Sequence, residues 1–583
     1  MNIGPANGGA GGFACPQSSG HHSRSQPERP RIGWLLPQID PTSAGSLARA
    51  LGIQPPAARV LAARGYADPE HARRFLRPTL DDLHDPFLLL GMKEAVERMH
   101  RAIAGGENIL LYGDYDVDGT TSVVILKKAI EMLGGQAWFH VPHRIREGYG
   151  MQAGVVEQAA ADGVKLLLSV DTGIRSASTV ARARELGIDV IVTDHHLPDA
   201  ELPPALAVLN PNRPGCAYPE KNLCGVGVAF KFAQALFERH GWPLEKQRRV
   251  AESLLKLVAI GTVADVVPLT GENRVLVKFG LAGLRSVRNP GLRALLDVSG
   301  FAEGDAPSAG QVAFRIAPRM NAAGRMADAI DVINLFLTED PEEARALAAR
   351  LHALNQERQQ AEAAIVQAIL AECERVPVTG GQMALVFAGE NWHRGVVGIV
   401  ASRVVEQYHR PAIVLSLDPE EGVAHGSGRS IPAFHLLEAL ESMPGLFLRF
   451  GGHKQAAGLA LPADRIEEFR RRLNEYAAAR LTADDIVPEI ELDACLDFRE
   501  INEKSVAEVL SLAPFGFGNP APLFAALGVE VAAEPAVWKE KHLRVGLRQN
   551  GRTVFAKAWN FTGRAADLRP GTRVDVAVAL EED

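Results

Sequence analysis

Three things are scarce in this chain. Cysteine is the first: 583 residues contain only Cys15, Cys216, Cys224, Cys373 and Cys495. They show no CxxC and no pairing pattern, which excludes a disulfide framework or a zinc module and fits a reducing compartment. The closest pair, Cys216 and Cys224, reads as ordinary small apolar residues near loops. Long apolar runs are the second: none approaches the ~20 residues that span a bilayer, and the N-terminus lacks the apolar core of a secretion signal. A cytoplasmic protein with no membrane partner is therefore expected. The third is surplus positive charge, since 62 Lys and Arg stand against 70 Asp and Glu for a net charge of −8. That balance does not announce a polyanion ligand, yet a local basic stripe can coexist with a cluster of uncompensated acids.

What is present points to several domains. A chain of this length is too long for one core, and its 47% hydrophobic and 23% charged content is ordinary for a globular protein. Residues 1–30, rich in Gly, Ser, His, Pro and Arg, read as a disordered extension, and His21-His22 there is not a metal site. Within 31–335, the stretch from about Leu80 to Asp265 alternates strand and helix, as an α/β doubly wound parallel sheet does. Residues 336–376 contain a long connecting helix: Asp340-Pro341-Glu342-Glu343 is a strong helix start. No Gly or Pro then intervenes to about Glu374, a length of roughly 50 Å that suits a strut between two lobes. Residues 377–481 form a second α/β region with strands near Ala384–Ala388 and Pro411–Ser416. Residues 482–583 carry short alternating strands, among them Val487–Asp493 and Leu543–Leu547, and suggest a small β-barrel.

The chemistry is concentrated where apolar runs end. Asn108–Gly113 runs into Asp114-Tyr115-Asp116-Val117-Asp118-Gly119, Lys165–Val170 into Asp171-Thr172-Gly173, and a third run into Thr193-Asp194-His195-His196. Short apolar runs bounded by Gly and followed by helical patterns read as buried parallel strands, whose carboxyl ends bind ligands. Leu257–Ala264 is a fourth apolar segment, delivering Asp265 after Gly261. Taken singly, each acid could be a helix cap or turn residue. Together they form a set of hard oxygen ligands with imidazoles, which suits Mg²⁺ or Mn²⁺ rather than structural zinc. The number of crowded carboxylates argues for two ions. The helix beginning at Thr120-Thr121-Ser122 would point its N-terminus at this crevice, favouring phosphate oxygens.

In order, Asp116-Val117-Asp118, Asp171, Asp194-His195-His196 and Asp265 resemble the four motifs of the DHH phosphoesterases. Further matches are Pro142-His143-Arg144 through Glu147-Gly148-Tyr149-Gly150, Pro318–Arg325, Trp392–Ile399, Gly426-Ser427-Gly428-Arg429-Ser430 and Gly451–Gly458. They are similar to the bacterial single-strand-specific exonucleases of that superfamily, from about Trp34 to the C-terminus. The resemblance implies a DHH catalytic domain, a DHH-associated domain over 377–481 and an OB-fold, a common single-strand binder, at the C-terminus.

It also implies roles. Asp171 would bridge two Mn²⁺ or Mg²⁺ ions; Asp118, His195 and Asp265 would complete one site and Asp116 the other. The family often has a His four residues before the first Asp of the DxD pair. Tyr112 stands there instead, leaving the first ion to Asp116, Asp171, Asp114 and water. Asp194 would orient an imidazole, and His196 would face the scissile phosphate. Ser427, Arg429 and Ser430 resemble a 5′-phosphate pocket, with Arg144, Arg319, Arg325 and His453 contacting the strand. Tyr149, Phe515, Phe517 and Trp538 are candidate base platforms. The implied activity is metal-dependent 5′ to 3′ degradation of single-stranded DNA in repair and recombination. The implied partners are a single-strand-binding protein and a RecQ-like helicase. A short-oligonucleotide, cyclic-dinucleotide or pyrophosphate hydrolase is the alternative within the superfamily, and a catalytically silent replication scaffold the alternative outside enzymology.

Overall fold

The computed structural model describes Ile3–Gly4 and residues 32–148 and 150–582. The expected disordered extension lies almost wholly outside the described residues, as does Tyr149. Ile3–Gly4 pairs antiparallel with Arg573–Val578. The chain divides into two compact units: residues 78–364 with 514–520, and residues 1–77 with 365–513 and 521–583.

The first unit is built on a five-stranded, all-parallel sheet. Its spatial order is Ala137–His140, Asn108–Tyr112, Val164–Val170, Asp189–Thr193 and Ala207–Leu209. The order reverses between Asn108–Tyr112 and Val164–Val170, and a crevice opens at the carboxyl ends of strands flanking such a reversal. Alternation sorts the side chains onto two faces. Ile109, Leu111, Leu166, Leu168 and Ile191 join the main core on one side. Leu110, Tyr112, Leu167, Val190 and Val192 join a second cluster on the other. Burial on both faces is why these strands read as continuous apolar runs.

Helices Val117–Met132, Gly225–Arg239 and Leu244–Ala264 cover the main core face. The polar start of the first is buried without orphaned hydroxyls. Thr120, Thr121 and Ser122 donate to the carbonyls of Asp116, Val117 and Asp118 one turn earlier, at 2.6, 2.6 and 2.7 Å. The segment Leu257–Ala264, grouped in the sequence with the strand ends, is the last part of the 21-residue helix Leu244–Ala264, with Asp265 as its C-cap. Its apolar run is continuous because the helix is buried nearly all round, and periodicity cannot separate that case from a buried strand.

Helix Pro341–Arg375 starts where the sequence places it, with Asp340 Oδ1 accepting the Glu342 N–H at 2.9 Å. Its residues are divided between the two units.

In the second unit a five-stranded mixed sheet has the order Arg449–Gly452, Ala456–Pro462, Val423–Arg429, Ala412–Asp418 and Leu385–Glu390. Only the last pair is parallel. A seven-stranded sheet gathers the C-terminal strands, with Phe524–Val531 between Arg573–Val578 and His542–Gln549. The register of Phe524–Val531 against Arg573–Val578 shifts between Ala526 and Val529, where Gly528 has a positive φ of 62°. A bulge of this kind bends a strand and lets its two ends pair with different neighbours. The strands are OB-like, but they do not close into the barrel expected from the sequence. Residues 32–77 pack in the same unit: Gly33–Leu35 pairs parallel with Glu489–Glu491, and Arg59 and Arg64 form ion pairs with Glu500 and Asp493 at 2.6 and 2.7 Å.

Candidate metal centre and nucleic-acid interface

The crevice at the sheet reversal gathers the acids. Asp116 caps helix Val117–Met132, accepting the Gly119 N–H at 3.0 Å. A Cβ on Gly119 would lie 2.6 Å from the Asp114 carbonyl oxygen, so only glycine closes this turn. In the first turn of the helix, the buried Asp118 carboxylate accepts the N–H groups of Gly225 and Val226 at 2.5 and 2.8 Å. These are the unpaired first amides of helix Gly225–Arg239, a natural anion cradle. Asp171 follows its strand with a φ of 58°, a left-handed conformation uncommon for a non-glycine residue and concentrated at functional sites.

Asp194 and the two histidines form the opposite wall. Asp194 Oδ1 accepts the N–H groups of His195 and His196 at 2.7 and 3.0 Å and pairs with His196 Nδ1 at 2.8 Å. Its Oδ2 accepts from Ile174 N at 2.9 Å. A buried carboxylate so engaged orients the groups that donate to it. Burial pushes Asp194 up, but the bond to His196 outweighs it and holds this carboxyl below its ordinary value. Burial likewise pulls His196 down, and the bond to Asp194 more than reverses that. His195 has no such partner, and burial lowers it to about 4, a neutral imidazole suited to ligation. Its Nε2 lies 3.2 Å from Asp171 Oδ1, 3.7 Å from Asp265 Oδ2 and 3.9 Å from Asp118 Oδ2.

Three sets of ligand atoms lie within 4.8 Å of one another: Asp114, Asp116 and Asp171; Asp171, His195 and His196; and Asp118, Cys224 and Asp265. All six residues singled out as ligands, Asp114, Asp116, Asp118, Asp171, His195 and Asp265, are thus in one crevice. Burial and then Asp116 push Asp114 well above its ordinary value, while burial and then Asp118 do the same to Asp171. Burial, with Asp116, raises Asp118 to about 7. Burial, with Asp118, raises Asp265 to about 9, and a helix C-terminus adds nothing favourable for an anion there. Crowded buried carboxylates remain ionised only with cations among them. Asp114 Oδ1, Asp171 Oδ1, His195 Nε2 and Asp265 Oδ2 are buried without a hydrogen-bond partner, a rare condition that a divalent ion would relieve. The donor set, carboxylates plus one imidazole, fits Mn²⁺ or Mg²⁺.

Tyr112, at the position where the family often has His, turns to the other face of the sheet. Its hydroxyl donates to the Gly150 carbonyl at 3.2 Å and accepts from Gln152 N at 3.1 Å, and burial raises it to about 12. Asp114 is the residue that joins Asp116 and Asp171 instead.

The cationic residues separate. Arg144 lies 4.8 Å over the Tyr115 ring, and both Arg144 and Arg325 act on that tyrosine electrostatically, beside the acidic turn. Arg319 is engaged elsewhere, donating to His352 Nδ1 at 3.1 Å and to the Arg315 carbonyl. In the second unit, Arg429 Nη1 donates to Ser427 Oγ at 3.0 Å and to the Gly428 carbonyl at 2.8 Å. A Cβ on Gly398 would lie 3.0 Å from Ser427 Oγ and 3.2 Å from Arg429 Nη2, so both side chains reach the start of helix Val397–Tyr408. The Ser430 hydroxyl closes its own turn on the Phe434 carbonyl at 2.9 Å, and His453 Nδ1 accepts from Gln455 N at 3.3 Å. Phe517 and Trp538 are exposed aromatics; Trp538 has Phe555 and Trp559 as exposed neighbours in the same sheet region.

Sequence reasoning missed the wall that completes the crevice. A Cβ on Gly225 would lie 2.6 Å from Asp171 Oδ1 and 2.8 Å from Asp118 Oδ2, so that glycine leaves room for both carboxylates. Asn210 and Asn212 hold the His196 and His195 carbonyls through Nδ2, each at 2.8 Å. The available signals were Asn210-Pro211-Asn212 directly after a short apolar run, and Cys224-Gly225 opening a helical pattern.

Comparison with known proteins gives the family. The DHH family N-terminal domain matches residues 108–262, the DHHA1 domain 380–479 and the RecJ OB domain 492–583. The single-stranded-DNA-specific exonuclease RecJ of Dickeya dadantii is 42% identical over 482 residues, covering 80% of this chain and 82% of that protein. The chain belongs to the RecJ family. The RecJ of Bacillus subtilis is 39% identical over 94% of this chain and 68% of its own length. Crystalline RecJ of Thermus thermophilus in complex with Mn²⁺ matches with a TM-score of 0.80 and 35% identity, over 95% of this chain and 77% of that one. RecJ family membership accounts for all three matched regions. Among the described residues no helix is long and apolar enough to cross a membrane.

Proposed function

We propose that this chain hydrolyses single-stranded DNA exonucleolytically, 5′ to 3′, with two Mn²⁺ or Mg²⁺ ions, in repair and recombination. One observation carries the reading: four ligand-type atoms from three strand-end loops and a helix C-terminus are buried, unbonded and convergent in one crevice. Asp114, Asp116 and Asp171 would hold one ion, and Asp171, Asp118, His195 and Asp265 the other. Ions held there supply Lewis acidity, acidifying water near neutral pH and neutralising charge that develops on the phosphate. The protein's own part is positional. Asp194 fixes the His196 tautomer by accepting from Nδ1, so Nε2 is the edge that exchanges a proton with a phosphate oxygen. The Gly225 and Val226 amides lock the Asp118 carboxylate, and Asn210 and Asn212 lock the loop that carries both histidines.

Polarity is supported by Ser427, Arg429 and the first amides of helix Val397–Tyr408, which together offer charge, hydroxyl and backbone donors to a terminal phosphate. Arg144, Arg325 and His453 contact the backbone of the strand, and the exposed aromatics of the C-terminal sheet stack bases. A single-strand-binding protein and a RecQ-like helicase fit as partners, since both supply the unpaired strand this chemistry needs. End-labelled single strand, duplex, dinucleotide and pyrophosphate, each with and without Mn²⁺, test the reading. Mn²⁺-dependent release of mononucleotides from the single strand alone is expected. Preferential cleavage of the dinucleotide or pyrophosphate would replace it.

A further inference from the structure

One donor in the crevice is out of character with the rest. Cys224 is fully buried, and its Sγ lies within 4.8 Å of carboxylate oxygens of Asp118 and Asp265. Buried cysteines ordinarily sit among apolar groups as small hydrophobes, whereas this one occupies the N-cap of helix Gly225–Arg239 directly before the amides that hold Asp118. That position favours Ser, Asp or Asn because their oxygens cap the helix; here a thiol stands in their place, with the Gly227 N–H directed at it. Its sulfur is also hydrogen-bonded to the Asp118 carboxylate and lies 3.4 Å from Thr262 Oγ1, whose hydroxyl donates to the Val258 carbonyl at 2.7 Å. Two groups that point to an ion stand in the same crevice, independent of the cysteine. Asp171 Oδ1, on a side chain that is 2% exposed, and His195 Nε2 are both buried without a hydrogen-bond partner. His195 Nε2 approaches Asp118 and Asp265 as well as Asp171, and a Cβ on Gly225 would touch both Asp171 Oδ1 and Asp118 Oδ2.

We infer that Cys224 is a sulfur donor built into the Asp118–Asp265 side of this centre, and that it decides which divalent ions the centre retains. Oxygen-seeking Mn²⁺ and Mg²⁺ are served by the carboxylates and His195. A thiophilic ion such as Cd²⁺ or Zn²⁺ gains a thiolate bond in addition, releasing the Cys224 proton to solvent, and so is held in preference. The centre would accordingly be susceptible to displacement of its working ion by soft metals. This inference rests on the proposed metal-dependent function.

The test uses the full chain and Cd²⁺ alone, followed by the ultraviolet thiolate-to-Cd²⁺ charge-transfer band, with Mn²⁺ binding measured separately by electron paramagnetic resonance. Wild-type protein should develop the band with one Cd²⁺ per chain, and added Mn²⁺ should suppress it. Cys224→Ser should lose that band and at least about tenfold in Cd²⁺ affinity, a change of ~1.4 kcal/mol or more. Its Mn²⁺ affinity should stay within about threefold, which also shows that the fold survives; Cys224→Ala should behave alike. A band that persists in Cys224→Ser, from the other four cysteines, would overturn the inference. So would wild type that binds Mn²⁺ but gives no Mn²⁺-competed band, and in that case the proposed function stands. Wild type that binds neither ion would remove both.

Discussion

Replacing Asp194 with Asn isolates what the DHH carboxylate does when it is not a ligand. The amide keeps the shape but has one oxygen and one NH₂ where Asp194 has two acceptors. With the amide oxygen in the Oδ1 position, the bonds from His195 N, His196 N and His196 Nδ1 can persist, but the NH₂ then faces the Ile174 N–H that now sits 2.9 Å from Oδ2. Two buried donors set head to head leave both unsatisfied, at about 1–3 kcal/mol each. The bond to His196 also changes from charge-assisted to neutral, a loss of about 1–1.5 kcal/mol, or a factor of about 5–13 in imidazolium stability. In the wild type the His196–Asp194 pair is fully formed below the ordinary histidine pKa of about 6.5, and its contribution fades as pH rises through the elevated value. In Asp194→Asn that elevation should vanish. Histidine proton titration by NMR on metal-free protein should show His196 moving down, and single-turnover cleavage at saturating Mn²⁺ should fall about ten- to a hundredfold. His196 titrating where it does in the wild type, with cleavage within about twofold, would refute the reasoning.

Three further outcomes are expected from other parts of the molecule. Arg429→Ala should slow 5′-phosphorylated strand more than 5′-hydroxyl strand, by about 1.5–3 kcal/mol for a charged hydrogen bond; equal slowing in paired kinetic runs would assign Arg429 to structure. Trp538→Ala with Phe555→Ala should weaken long single strands by about 1–3 kcal/mol per stacked base and leave very short oligonucleotides nearly untouched, as read by fluorescence anisotropy. Removal of the whole C-terminal sheet would also strip Arg59 and Arg64 of their partners Glu500 and Asp493, an effect these point variants avoid. Because Asp118 and Asp265 are raised to about 7 and about 9, metal-free protein binds more protons folded than unfolded between about pH 4 and those values. Its stability should therefore fall as pH rises through that window, and Mn²⁺, which must displace those protons, should bind more tightly with rising pH. Thermal melts and titrations in buffers of different ionisation enthalpy measure both; pH-independent Mn²⁺ affinity would contradict the assignment.

The parts of the centre legible in the sequence are local. Asp114, Asp116, Asp171, Asp194 and the histidines each end an apolar run that folds as a strand, so strand pattern and chemistry coincide within a few residues. Asp265 is legible as a carboxylate ending an apolar run but not as a helix C-cap, because Leu257–Ala264 is buried nearly all round. The groups that shape the pocket come from far along the chain. Gly225 N reaches Asp118 across 107 positions, and Asn212 reaches back 17 to His195. Neither leaves a periodic signal, since a backbone amide looks the same in every sequence and a close-approach glycine looks like a turn. Cys224 passed for a small apolar residue for the same reason. In the C-terminal region, strand alternation was legible and closure was not, because closure depends on which edges meet.

The central claim, two ions bridged by Asp171, is tested most directly by Mn²⁺ stoichiometry. Calorimetric titration of wild type should give two Mn²⁺ per chain with hydrolysis of single-stranded DNA. Asp171→Ala should retain its circular dichroism spectrum, bind at most one Mn²⁺ weakly and cleave nothing. A wild type that saturates with one ion, or Asp171→Ala that remains an active exonuclease at saturating Mn²⁺, would contradict the account.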